Sequence, residues 1–395
     1  MKADRARAPR VSVGLPVYNG ARFLAAALES LLGQTFADLE LIVADNASTD
    51  GTDEIVRAFA ARDRRIRAYR WGRNHGAAWN YNRVFALARG AYFKWAAHDD
   101  LCAPELLERL VSVLDGEPGT VVAYPRTAII DEAGRFVAMY GDGLDLREPD
   151  PGARYRRYHD RFRFGGECNA IFGLLRASAL RATARIGAYP ASDTVLLGEL
   201  ALRGGFHEVQ EPLFLRRDHA DTSVRRHEAF DARAVWFDPR NGGRVQLPRW
   251  RWLVEHLAAV RRAPIGAAVR ARCLVQVAKW AAWNRQGLWR DIEAAARWLA
   301  GRRRGRRGGE GGGGGGGGDG GRKRWAGRRR KAEATDTGTG AGVGAGTGTG
   351  TGVGVGVGTG TDTGTGVGET QPWGAKRTHE TRAEAARPSE SSRSS

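Results

Sequence analysis

Between residues 11 and 125 short apolar runs alternate with stretches of helical period, and few folds accommodate that rhythm. VSVGLPV (11–17), LELIVAD (39–45), IRAYRW (66–71), AYFKWAA (91–97) and TVVAYP (120–125) read as strands. ARFLAAALESLL (21–32), DEIVRAFAA (53–61), roughly residues 77–89 and PELLERLVSVLD (104–115) read as the helices between them. Alternation at this spacing makes βαβ units, and these imply an α/β fold with a mostly parallel, Rossmann-like sheet flanked by helices. Ligands of such sheets gather at the carboxyl ends of the strands, so chemistry is expected in the loops that follow them. Further along, a hairpin is expected around Glu132-Ala133-Gly134 and a polar loop over residues 144–160. Apolar patterning resumes at 172–178 and 206–217 around a helix near 193–203, and two or three Trp- and Arg-rich helices occupy 249–300.

At residue 301 the patterning stops. Eight consecutive glycines (311–318) and a Thr-Gly/Val-Gly repeat (336–368) bury too little to offset the entropy of ordering, so 301–395 is expected to be disordered. Of 395 residues, roughly 300 remain to build a core. They divide into an N-terminal extension (1–10), an α/β domain (11–225) and a helical annex (226–300). The formal charge of +18 invites a nucleic-acid or membrane partner, but residues 301–331 hold 12 Lys and Arg against Glu310 and Asp319. More than half of the excess therefore sits in the tail, and no specific nucleic-acid partner is expected. Cys102, Cys168 and Cys273 are widely spaced and odd in number, which argues against a disulfide framework or zinc site. A charged N-terminus and the lack of an 18-residue apolar run suggest a cytoplasmic protein without signal peptide or membrane span. Trp250, Trp252, Trp280, Trp283 and Trp289 stand among arginines, so the annex either packs its tryptophans on the α/β domain or rests on the inner membrane face.

Each strand end offers something to a ligand. Pro16, Tyr18 and Asn19 follow the first strand, where an aromatic face, an amide and free backbone N–H groups could hold a flat ring and oxygens. On their own they read first as an ordinary strand–turn–helix junction with Asn19 as N-cap. Asp45 ends the second strand, placed to accept from a ring N–H or a ribose hydroxyl, while Ser48 and Asp50 read as caps of the next helix. Asn74, Asn80 and Asn82 bring amides within reach of a ribose or phosphate. The fourth strand ends in His98-Asp99-Asp100, two adjacent acids that repel unless something positive lies beside them. A divalent cation, Mg2+ or Mn2+, answers that, and capping of the helix near Pro104 is the alternative.

In this order and spacing, VSVGLPVYNG, ADNASTDGT, RNHGAAWNYNR and YFKWAAHDD resemble the family 2 glycosyltransferases of GT-A fold over residues 11 to about 225. The resemblance implies that Pro16, Tyr18 and Asp45 hold the base of a sugar nucleotide and that Asp99 binds a metal on its diphosphate. The usual Asp-x-Asp-Asp strand end is here Ala97-His98-Asp99-Asp100. Asp193, in GAYPASDTVLLGELALRGGF, falls where the family places its general base, at a helix start whose dipole would keep a carboxylate ionised. A plain first-turn acid is the other reading of it. His219 stands where relatives place a His that reaches the metal or diphosphate, and reads equally as a solvated surface residue. Glu167 and Asn169 resemble acceptor contacts. The implied activity is inverting, metal-assisted transfer from a UDP- or dTDP-sugar to a sugar or lipid-linked acceptor. A nucleotidyltransferase, a nucleic-acid-binding scaffold acting through the tail, and an inactive sugar-nucleotide binder are the alternatives.

Overall fold

The computed structural model describes residues 8–309 except 165, 167, 223, 224, 226 and 228, with backbone alone at 164 and 301–309. Glu167, and the expected disorder of residues 310–395, lie outside the described residues.

The fold is α/β. Strands β1 (Val11–Val17), β2 (Leu39–Asp45), β3 (Ile66–Arg70), β4 (Tyr92–Trp95), β5 (Leu101–Cys102), β6 (Thr120–Ile130), β7 (Phe136–Tyr140), β8 (Leu174–Arg176) and β9 (Gly205–Arg217) form one sheet. Its order is β3-β2-β1-β4-β8-β6-β9-β5, with β7 beside β6. The first four positions are parallel, as the βαβ rhythm requires. Beyond β4 the sheet is mixed: β8 runs antiparallel to both β4 and β6, while β9 is parallel to β6. Every residue of β1 and β2 is buried, as expected for strands covered on both faces. Helices α1 (Ala21–Leu32), α2 (Thr52–Arg62) and α4 (Leu106–Gly116) cover one face, and α3 (Ala77–Ala86), α6 (Ala177–Arg181) and α7 (Ser192–Ala201) the other. Far from the strand ends that carry the site, Glu40 is buried on β2. It accepts from Ser12 Oγ (2.6 Å) and pairs with Arg67 (2.7 Å) and Arg89 (2.8 Å), which offsets the cost of burying a charge.

The expected loop over 144–160 is instead helix α5 (Pro151–Arg161) over most of its second half. Pro151 stands in the first turn of the helix, where its missing N–H costs nothing, and the Asp150 side chain caps the Ala153 N–H at 2.8 Å. Beyond β9 come α8 (Phe230–Phe237), α9 (Pro248–Arg262), α10 (Ala267–Trp283) and α11 (Arg285–Gly309). The last runs past residue 301.

Helix α7 is buried nearly all round because it lies between the sheet and the annex. Gly198 lets Tyr158 approach, and buried Glu199 pairs with Arg203 (3.1 Å) on its own helix and Arg262 (2.8 Å) on α9. Tyr155, Leu202, Val260, Ala263, Cys273 and Val277 form an apolar seam between α5, the end of α7 and the annex. The annex is therefore part of the scaffold that holds the first turn of α7.

Candidate active site

A cavity of about 1100 Å3 opens at the carboxyl ends of β1 and β4. That is slightly above the usual range for small-molecule sites, roughly 300–1000 Å3. Of the residues expected to act, it brings together Pro16, Tyr18, Asn19, Asn74, Asp99, Asp100, Asn169, Asp193 and His219. Asp45 is absent from the lining and only 1% exposed.

The loops after β1, β2 and β3 are stitched to one another. Asn19 takes a positive φ of 53°, donates its N–H to Ser48 Oγ (2.8 Å) and accepts from the Thr49 N–H (2.9 Å). It is not the N-cap; Gly20 is, and a Cβ there would come within 2.5 Å of His98. Ser48 and Asp50 were expected to cap α2. Ser48 instead receives Asn19, while Asp50 joins two helices, accepting from the Ala21 N–H (3.0 Å) and Thr52 Oγ (2.6 Å). Asp45 accepts from the Ser48 N–H at 2.9 Å through Oδ1. Its Oδ2 has no hydrogen-bond partner among the described residues and stands 3.5 Å from half-exposed Arg70. Asn80 and Asn82 are consumed by structure: Asn80 bonds Trp71 and Ala44, and Asn82 brackets the backbone of Ile186. Asn80 still lines the cavity, whereas Asn82 does not.

The acidic pair is held, not capping. Helix α4 begins after Glu105 and takes no side-chain cap, so Asp99 and Asp100 serve no helix start. Asp99 Oδ2 meets Nε2 of buried His219 at 3.0 Å. Burial pushes the Asp99 carboxyl up, but neighbouring His98 and His219 overcome it and the net shift is downward. Asp100 Oδ1 accepts the Arg217 N–H (2.9 Å), and burial with the adjacent Asp99 charge raises its carboxyl to about 8. The Arg217 guanidinium donates to the Asp99 carbonyl (3.0 Å), so the end of β9 clamps the end of β4. His219 is thus no surface residue. Two cis ligands of an octahedral cation, each ~2.1 Å from it, stand ~3 Å apart, so the Asp99–His219 spacing fits one shared divalent ion. Among the described residues no third His, Cys, Asp or Glu joins them, which leaves phosphate oxygens and water to complete such a shell.

On the opposite side Asp193 lies in the first turn of α7, after Ala191 in a left-handed conformation (φ 59°). A helix N-terminus was expected to keep this carboxylate readily ionised. Burial dominates instead and raises its pKa, against the hydrogen bond from the Thr194 N–H (2.9 Å). Asn169 is buried in a 3-10 turn over Asn169–Phe172 that shares the wall.

Four residues escaped sequence reading. Asn46 donates to Asn74 Oδ1 (2.8 Å) and accepts from the His75 N–H (3.0 Å), joining two loops. Asp142 accepts the Asn169 N–H (3.1 Å) and fixes that turn; burial lifts its carboxyl to about 7. Tyr81 lines the cavity near Asp99, Asp100 and Asp193, its phenol raised mainly by burial. Trp236 brings α8 into the wall, although α8 was read as annex. Gly76, at φ 88°, makes room for this: a Cβ there would sit 2.6 Å from the Phe237 carbonyl oxygen.

A family model described as Glycosyl transferase family 2 matches residues 12–181. The putative glycosyltransferase EpsE of Bacillus subtilis is 36% identical over 145 residues, which is 36% of this chain and 51% of that one. An uncharacterised glycosyltransferase of Rickettsia typhi is 34% identical over 125 residues, 31% of this chain and 38% of its own length. The chain thus spans about half or less of the curated relatives it matches. Among solved structures, S. aureus TarS aligns at 17% identity and a TM-score of 0.45, covering 73% of this chain and 91% of that chain. Mannosyltransferase PcManGT of Pyrobaculum calidifontis, in complex with GDP-Man and Mn2+, aligns at 18% and 0.42, covering 74% and 88%. Residues 12–181, whose motifs gather at one set of strand ends, are thus similar to glycosyl transferase family 2.

Proposed function

We propose that this protein transfers a sugar from a nucleoside-diphosphate sugar to an acceptor hydroxyl with inversion at the anomeric carbon. The observation that carries the reading is that half-buried Asp193 and the Asp99–His219 pair line one cavity with the family's donor loops. Tyr18, 40% exposed, offers its ring to the base beside Pro16, and Asn19 and Asn74 hold the loop geometry around it. Asp45 offers its unpartnered oxygen to a ring N–H once the Arg70 side chain moves aside. Asp193 takes the acceptor hydroxyl proton as that oxygen bonds the anomeric carbon and the bond to the diphosphate breaks. Its raised pKa makes it a stronger base than a solvated aspartate. Asp99 and His219 would hold a divalent cation, which neutralises negative charge on the departing diphosphate. Asp100, bound by the Arg217 N–H, positions that strand end, and Asn169 faces the acceptor.

The test is thermal denaturation with UDP, dTDP and other nucleoside diphosphates, each with and without Mn2+. A ligand that binds only the folded state raises Tm by mass action. At least one diphosphate should raise Tm, and more with the metal. No shift with any of them would overturn the reading.

A further inference from the structure

The tryptophans of the annex do not act as one set. Trp252 turns inward and donates its indole N–H to the Pro190 carbonyl at 3.0 Å. Trp280 packs against His256, and the Arg163 guanidinium lies 4.8 Å over Trp283. Trp252 and Trp283 tie the annex to the domain, and Trp280 packs within the annex. Trp250 and Trp289 face outward, and each begins a stripe at helical spacing. On α9 the exposed large apolar side chains are Trp250, Val254 and Leu257, followed by Arg261. On α11 Trp289, Ile292, Ala296 and Leu299 form the stripe, flanked by exposed Arg290, Glu293 and Arg297, with Trp289 at 62% exposure. The stripes meet where the Trp250 indole N–H donates to the Leu288 carbonyl at 3.0 Å, one residue before Trp289.

The charge beside this apolar face is mostly positive. Helix α11 carries eight arginines, at 285, 290, 297, 302, 303, 304, 306 and 307, against Asp291 and Glu293 alone. Asp291 is buried and already pairs with Arg249 (3.3 Å). An apolar stripe that runs into a polybasic helix end matches an interfacial helix lying on anionic lipid. The chain's own tail is poorly made to cover it, since residues 310–395 hold Trp325 and Trp373 but no Leu, Ile or Phe. A second copy would set one cationic border against another.

We propose that the outer face of α9 and α11 docks the protein on an anionic membrane surface, with Trp250, Val254, Leu257, Trp289, Ile292 and Leu299 entering the headgroup boundary. No residue of the cavity takes part, so this stands or falls separately from sugar transfer.

The test uses the full chain. Sedimentation with phosphatidylcholine vesicles, with and without phosphatidylglycerol, is read at low and at physiological salt. The protein should pellet with the anionic vesicles at both, because apolar insertion outlasts screening. Trp289→Glu/Ile292→Glu should lower the partition coefficient about tenfold or more, with circular dichroism showing that the helices remain. Brominated lipid should quench the tryptophan emission of the unmodified protein, a readout that needs no variant. A protein that stays in the supernatant, or emission that brominated lipid leaves unchanged, would overturn the proposal. So would a folded variant that pellets undiminished, which would put binding in the tail, or a dimer broken by the substitutions while lipid binding persists.

Discussion

Asp193 and Asp99 are both acids on the cavity wall, yet their surroundings push them in opposite directions. Burial raises Asp193, while His98 and His219 bring Asp99 down. The two substitutions should therefore fail differently. Asp193→Asn should cut transfer by about 10²–10⁴-fold and leave nucleotide binding nearly intact, because a base on the acceptor acts mainly in the transition state. Asp99→Asn should weaken metal-dependent nucleotide binding and turnover together. Calorimetric titration beside a transfer assay separates these outcomes, and equal loss of donor binding in both would place Asp193 in the donor site. The pH profile follows from the same burial. The active form of Asp193 is deprotonated, so kcat should rise with pH through a value above the ordinary aspartate pKa of about 4. An acid limb at or below that value in a kcat–pH series would contradict the assignment. Tyr18, Asp99 and Asp193 were legible in the sequence because strand ends and motif spacing mark them. Asn46 and Asp142 were not, since each works through partners some 28 residues distant in the chain.

At the scale of elements, the seam between α5, α7, α9 and α10 sets how firmly the Asp193 turn is held. His159 and His256 lie there fully buried, ring centroids 4.7 Å apart, with Tyr155 and Trp280 around them. Burial lowers His256 to about 4, and burial with the neighbouring His256 brings His159 well below the usual histidine value. An unfolded histidine titrates near 6.5, so the unfolded chain binds protons first as the medium acidifies. The seam's contribution is therefore complete above about pH 6.5 and lost as pH falls toward 4, on the order of 3 kcal/mol for His256 alone. Thermal melts across that window should show His256→Phe losing less stability on acidification than the unmodified protein. Equal slopes would mean that other groups dominate. Helix α5 was hidden in the sequence because prolines mark both loops and first helical turns. The cap by Asp150 decides between them.

On the scale of the whole molecule, every group assigned to catalysis lies before residue 240, and the helices beyond it brace the site from outside, through contacts such as Trp252, Arg262 and the α5 seam. Deleting residues 310–395, which leaves α11 whole, should therefore keep nucleotide affinity within about twofold, a change of ~0.4 kcal/mol. Calorimetry on the shortened protein checks this. A large loss would show that the tail closes the donor site. No helix among the described residues is long and apolar enough to cross a membrane.

Local composition by itself determined the parallel half of the sheet, its helices and the strand ends where ligands bind. Those features rest on periodicity within ten or so residues and on the entropy of closing short connections, both readable along the chain. Tertiary structure decided the rest. It turned β8 against its neighbours and brought His219 across 120 residues to Asp99. It also set α8 into the cavity wall and divided the annex tryptophans into an inner and an outer set. The physical reason is common to all of these. Burial, pKa and partnership belong to the space between elements, and a residue's neighbours in sequence do not report who will exclude water from it.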